Sequence, residues 1–274
     1  MKRLLYLLMA ALLVVLAAVS CKKDRTGDSD SGNNNDPEIV TPEEDDFFIV
    51  VTRDDETSYK LFWAKSNLSA GGLCAKPEDV GDFFAWGEVE PYYIAGYNPL
   101  VSPCEDWRSG KSDGYDWTSY KWCTGNFHQL TRYCPEAKTS DWDGEGETPD
   151  GKLEFKDYDY VDDAARHILK GTWRIPTQKE WDELRAQCEW EYTTINGVGG
   201  RRVKKEDGSS IFLPVTGYWS RKSRSQETVG NYWTSTVRED DPDYAMGSYF
   251  SASGYNPGCN ARFYGQVIRP VCEE

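Results

Sequence analysis

The stretch 171–188, GTWRIPTQKEWDELRAQC, constrains the fold more than any other part of the chain. Thr177 precedes an apolar run and Glu180 follows three residues later. Hydroxyl and carboxylate can then each satisfy a backbone N–H left open at a helix start, so a helix is predicted to begin here. Trp181, Leu184 and Cys188 recur at i, i+3 and i+7 and share one face, while Lys179, Asp182, Glu183 and Arg185 fall towards solvent. Cys188 is therefore expected to be a buried thiol.

The elements around this helix follow from similar local rules. Runs 47–52 and 59–64 are rich in β-formers and flank the turn-like residues 53–56, which predicts an opening hairpin. From 66 to 156 the chain loses periodicity, but Phe83, Phe84, Trp86, Trp107, Trp117 and Trp122 imply an ordered, packed loop region. Asp162 is a candidate cap for a short helix in which Ala165, Ile168 and Leu169 share a face and Gly171 ends the run. Asn196-Gly197 and Asp207-Gly208 mark tight turns, with strands expected at 191–195, 199–204 and 210–214. Further strands are expected at 231–236, 244–250 and 261–271. Two helices followed by a run of strands predict an α+β domain.

The N-terminal part carries a different kind of signal. Lys2 and Arg3 precede an uncharged run over 4–20 that closes on small residues before Cys21. This reads as an export signal over 1–20, and the residues before Cys21 resemble a bacterial lipobox, although Ala18 stands where the usual pattern prefers Leu. Cys21 is the expected acylation site, and the lipid would hold the protein on a membrane. Residues 21–46 are small, polar and acidic and offer almost nothing to a core, so they read as a disordered tether. The folded part is expected to be one domain over 47–274.

Lys22, Lys23 and Asp24 partly resemble the surface-export cue of Bacteroidetes lipoproteins. An outer-membrane lipoprotein at the cell surface is the expectation, with the periplasmic face as the alternative. The formal net charge of −15 argues against nucleic-acid partners, because it repels phosphate backbones. The basic tracts Arg201, Arg202, Lys204, Lys205 and Arg221, Lys222, Arg224 read as solvated hairpin and loop positions. An exported chain meets an oxidising compartment, and with Cys21 acylated an odd number of its eight cysteines remains. Cys188 is the expected unpaired thiol, whereas Cys104, Cys123 and Cys134 could pair among themselves or with Cys74. Zinc is disfavoured, since no cysteine pair has C-x-x-C spacing and His128 and His167 stand far apart.

Taken together, YKLFWAKSNL with GDFFAWGE, SYKWCTGNFHQLTRYC, the long block 161–203, SIFLPVTGYW, GNYWTST and GQVIRPV occur in an order that resembles the Fibrobacter succinogenes major paralogous domain family. The resemblance implies a C-type-lectin-like fold, two short helices with a looped antiparallel sheet, and implies no reaction. In that fold the usual disulfide joins the first helix to the last strand. Here 162–170 contains no cysteine, so Cys272 must pair elsewhere or stay free.

Some relatives with this fold bind diversified ligands through their last strands and loops, which correspond to about 244–264 here. Alternation predicts Met246, Phe250, Phe263 and Val267 towards the core and Tyr249, Arg262, Tyr264 and Gln266 outward. The intervening loop, 251–260, adds Tyr255, Asn256 and Asn260. Tyr249, Tyr255, Asn256, Asn260, Arg262 and Tyr264 are thus the candidate ligand-binding residues, for a glycan or a protein.

An enzymatic reading rests on formylglycine-generating and related oxidoreductases, whose RLPT-x-x-EW block is similar to Arg174-Ile175-Pro176-Thr177 with Glu180-Trp181. Those enzymes need a close pair of reactive cysteines, and only Cys259 and Cys272 lie in the C-terminal part, so no catalysis is expected. A purely structural or assembly role is a further alternative. Calcium is the one cofactor suggested. Asp141, Asp143 and Glu145 alternate as in calcium loops, but Lys152 stands at the twelfth position, where a bidentate glutamate belongs.

Overall fold

Thr177 starts the longer helix through the reciprocal pairing its sequence calls for: its hydroxyl accepts from the N–H of Glu180 and the Glu180 carboxylate accepts from the N–H of Thr177. The computed structural model describes residues 39, 41–124, 129–135 and 150–274. The expected acylation site Cys21, most of the expected tether and the candidate calcium residues Asp141, Asp143 and Glu145 lie outside the described residues.

The expected opening hairpin is formed by β1 (Phe48–Thr52) and β2 (Ser58–Trp63), and a minimal one by β3 (Leu68–Ser69) and β4 (Gly72–Leu73). Helix α1 (Ala164–Leu169), β5 (Trp173–Arg174) and helix α2 (Gln178–Gln187) follow the irregular region. A meander of β6 (Glu189–Ile195), β7 (Val198–Lys204) and β8 (Ser210–Pro214) uses both Asn-Gly and Asp-Gly turns. Then come a short pair, β9 (Tyr218–Ser220) and β10 (Ser223–Ser225), and a three-stranded sheet of β11 (Gly230–Val237), β12 (Tyr244–Phe250) and β13 (Tyr255–Ala261). The last strand, β14 (Val271–Glu273), lies between β2 and β5, in the order β1-β2-β14-β5. All strand pairings are antiparallel, so the described chain is an α+β assembly dominated by antiparallel sheet.

The β1-β2-β14-β5 sheet is covered on both sides. Leu61 and Trp63 of β2 join one buried cluster with Trp181, Leu184 and Tyr232, while Phe62 between them joins a second with Trp86, Trp173 and Trp233. Trp181 packs edge-on against Trp63, with ring centroids 4.7 Å apart, and burying a side chain of this size contributes about 2–3 kcal/mol. Cys188 closes the same face of α2 as a buried thiol, as its spacing predicts.

The described part of 66–156 makes little regular structure but is packed as its aromatics imply. Phe83, Phe84 and Trp86 are buried, and Trp107, Trp117 and Trp122 lie half-buried against the core. Aromatic side chains supply polar partners where ladder bonds are missing. Tyr115 donates to the carbonyl of Phe83 (2.6 Å), Tyr120 to that of Trp86 (2.7 Å), and the Trp86 indole to that of Thr234 (2.8 Å).

Several expectations require correction. The cap of α1 is Asp163, whose Oδ1 accepts from the N–H of Arg166 (3.0 Å); Asp162 instead receives the Tyr133 hydroxyl (2.8 Å) and pairs with Arg132 (3.0 Å). Ile168 is only half-buried, and Ala164 takes a core place beside Ala165 and Leu169. The segment 251–260 is not one loop, because β13 begins at Tyr255. Pro257 sits there without breaking the sheet, since β13 is an edge strand and a proline there forfeits no ladder bond that the sheet needs.

The strand expected over 261–271 divides into the end of β13, an irregular run and β14. The irregular run passes between the sheets through isolated bridges of Trp219 with Gly265, Phe84 with Gln266 and Tyr232 with Val267. Both of its sides are therefore covered. Arg262 and Gln266, expected to face outward, are fully buried, whereas Met246 and Phe263, expected in the core, are only half-buried. Phe250 and Val267 are buried as expected. Arg201, Arg202, Lys205 and Arg224 also depart from the solvated reading: all four are half-buried, and Arg224 donates from Nε to the carbonyl of Thr216 (2.8 Å).

Candidate ligand-binding cleft

The sheet β11-β12-β13 aligns three side chains in one row. Asn231 of β11 is paired with Tyr249 of β12, and Tyr249 with Asn256 of β13, so the tyrosine stands between two amides on one face. Its ring lies across two glycines. A Cβ at Gly258 would come within 2.8 Å of Tyr249 Cε2, and one at Gly247 within 2.6 Å of Cζ. Only residues without a side chain leave that space. Burial pushes the Tyr249 hydroxyl well above its ordinary pKa, and it stays protonated.

The next row along the strands pairs Phe250 with Gly230 and Tyr255. Tyr255 packs edge-on against Trp190 (5.3 Å between centroids), with the guanidinium of Arg185 5.8 Å from its ring. Between β12 and β13 the chain turns through Ser251–Gly254, closed by the Ser251 N–H donating to the Gly254 carbonyl (2.8 Å). Arg201 of β7 holds this turn from below. It donates from Nε and Nη2 to the carbonyl of Ser251 (3.0 and 2.5 Å) and from Nη2 to that of Ala252 (3.2 Å).

These elements enclose a cleft of about 470 Å³. Tyr249, Tyr255, Asn256 and Asn260, four of the six residues expected to bind a ligand, are all among its lining residues, although Tyr255, one row along from Tyr249 and Asn256, turns its ring to the opposite face of the sheet against Trp190. The other two are elsewhere. Arg262 donates to the Tyr120 hydroxyl (2.9 Å) and to the carbonyls of Pro242 (3.1 Å) and Arg132 (3.0 Å), with its guanidinium 4.7 Å from the Trp86 ring. It is a structural cation with no surface to offer. Tyr264 stacks on Tyr218, centroids 5.0 Å apart and planes 6° from parallel, away from the cleft lining.

Sequence reasoning did not single out Asn231, Gln226, Ser251 or Ser253, which also line the cleft. Asn231 had a readable signal. An amide inside the strand GNYWTST must find partners, and here its side chain donates to the carbonyl of Val229 (3.0 Å).

A second cleft, about 610 Å³, opens where β1, β2 and α2 meet. It is rich in charge, yet each charge is paired: Arg174 with Glu180, Arg53 with Glu273, Lys179 with Asp54, and Lys156 with Glu154. Glu180 also accepts from the Tyr59 hydroxyl (2.8 Å). Burial opposes ionisation of Glu180, but the Arg174 bonds outweigh it and hold the carboxyl below its ordinary pKa. A closed set of ion pairs leaves little for a ligand to satisfy.

No family model, curated protein or solved structure matches the chain.

The two cysteines relevant to the oxidoreductase reading belong to different sheets, Cys259 to β13 and Cys272 to β14. Cys272 is buried with its sulfur 3.0 Å from the Thr172 hydroxyl, and Cys259 receives a guanidinium N–H of Arg238 at 3.6 Å. Cys74, Cys104, Cys188, Cys259 and Cys272 are all thiols. Among the described residues Glu43, Asp45 and Asp46 lie close enough to share a cation. Asp46 there pairs with Lys65 (2.8 Å) and accepts from the N–H of Glu43 (2.9 Å), as an exposed acidic turn does.

Proposed function

We propose that this chain is a non-enzymatic lipoprotein of the cell envelope, anchored through Cys21, that carries a C-type-lectin-like domain and binds a glycan or protein ligand in the β12–β13 cleft. The observation that carries this reading is the gathering of Tyr249, Asn256 and Asn260 along one concavity of the β11-β12-β13 sheet. Tyrosines provide contact area at low entropic cost, and amides provide hydrogen bonds that adapt to a ligand. The lectin-like assignment draws support from the opening hairpin and the last strand, which share one sheet through the pairing of β2 with β14, with both helices between them in sequence.

Two measurements test the reading. The full chain, solubilised in detergent, is screened on a glycan array and used to capture proteins from envelope extracts, beside an Asn256→Ala/Asn260→Ala variant with an unchanged melting temperature. Binding lost in the variant supports the cleft, and binding that the variant keeps removes it. Metabolic labelling with an alkyne fatty acid tests the anchor: label on the parent and none on Cys21→Ser is the expected result, and equal labelling of both refutes it.

A further inference from the structure

The geometry points to an uncharged carbohydrate as the occupant of the β12–β13 cleft, an inference that rests on the ligand-binding reading above. Charged residues make up 28% of this chain, yet among the described residues that line the cleft none carries a charge. Three guanidiniums come near its lining: Arg185 sits by Trp190 and Tyr255 on the sheet face opposite Tyr249, and the other two are engaged. Arg238 is bidentate with Asp240 (2.6 and 2.8 Å), and Arg201 is bound to the carbonyls beneath the turn. A carboxylate, sulfate or phosphate placed here would lose water without gaining a counter-charge, a large cost in a partly dehydrated site.

The lining presents amides and hydroxyls instead. Gln226, Asn231, Asn256 and Asn260 each combine a carbonyl acceptor with an NH2 donor, and Ser251 and Ser253 add groups that do both. Adjacent hydroxyls of a sugar ring, each a donor and an acceptor, match such groups in pairs. Tyr249, bedded on Gly247 and Gly258, offers a fixed ring on which the C–H face of a pyranose can lie.

A protein partner fits less well. Among the described residues the exposed large apolar side chains, such as Val50, Ile94, Leu100 and Val101, are all absent from the cleft lining, which therefore offers no broad apolar patch. Its volume of about 470 Å³ is that of a small-molecule site.

The test uses the detergent-solubilised full chain on an array of uncharged hexose and N-acetylhexosamine oligosaccharides, with uronic-acid and sulfated oligosaccharides as the acidic set, followed by calorimetry on the best binder. The expected result is binding confined to the uncharged set, with an affinity insensitive to salt and about tenfold weaker in Asn256→Asp and in Asn256→Ala. Binding of the acidic set with strong salt dependence, lost in Asn256→Ala, overturns the uncharged class while leaving the cleft as a ligand site. Capture of a protein alone, lost in the same variant, does likewise. No binding of either kind, or binding unaffected by the variants, overturns both this inference and the reading beneath it.

Discussion

Arg174 and Glu180 face each other end to end, Nη1 donating to Oε2 (2.7 Å) and Nη2 to Oε1 (2.5 Å), and both side chains are buried. The pair welds β5 to the first turn of α2. Removing one partner leaves the other charge buried alone, so Arg174→Met is expected to cost about 3–5 kcal/mol. Arg174→Met combined with Glu180→Gln removes both charges and keeps an acceptor for the Thr177 N–H, and most of that loss should return. Urea unfolding of the three proteins checks this; a single variant within about 0.5 kcal/mol of the parent refutes it.

Asp163 is fully buried and its carboxylate accepts from the N–H groups of Arg166 (3.0 Å) and Ile175 (2.8 Å). Burial outweighs these bonds and pushes its carboxyl up from 3.8 to about 6. Because the folded pKa lies above the unfolded one, the native state holds this proton more tightly. The resulting stabilisation is fully present below about pH 4 and is lost as pH rises through about 6, by at most ~3 kcal/mol. Asp163→Asn lacks this titration. Its stability relative to the parent should therefore rise between pH 4 and 7 in denaturant midpoints, and a difference constant with pH would count against the buried carboxyl.

Arg201 binds the carbonyls of Ser251 and Ala252 through a planar fork that lysine cannot reproduce. Arg201→Lys and Arg201→Ala are expected to release the turn, raising amide exchange at Ser253 and Gly254 severalfold with a modest loss of about 1 kcal/mol in global stability. Exchange unchanged in both variants shows that the turn holds without the clamp.

What the sequence made legible was local. Thr177 with Glu180, Asn196-Gly197, Asp207-Gly208 and the spacing of Trp181, Leu184 and Cys188 each specify structure within one or two turns of chain, and each appears where it was read. Asp163 lost to Asp162 by one position because two adjacent aspartates satisfy the same rule, and only the contact with Ile175 distinguishes them.

The site was half legible. Tyr249, Tyr255, Asn256 and Asn260 follow from the order of the last strands, but strand alternation fails for Arg262 and Gln266, where chain from distant parts of the sequence covers the outer side. The Asn231, Tyr249, Asn256 row was out of reach for the same reason. It exists through strand register, which no short window of sequence encodes.

Gly258 faces the Tyr249 ring so closely that a methyl group cannot be added without moving it. Gly258→Ala is expected to tilt the ring out of its bed, at about 1–3 kcal/mol in stability, the usual cost of overpacking. Ligand binding should fall further than it does in Tyr249→Phe, since the phenylalanine ring can keep the same plane and loses only a hydroxyl that points away from bulk water. If Gly258→Ala binds as well as the parent while Tyr249→Phe does not, the tyrosine acts through its hydroxyl and the flat-ring platform is wrong.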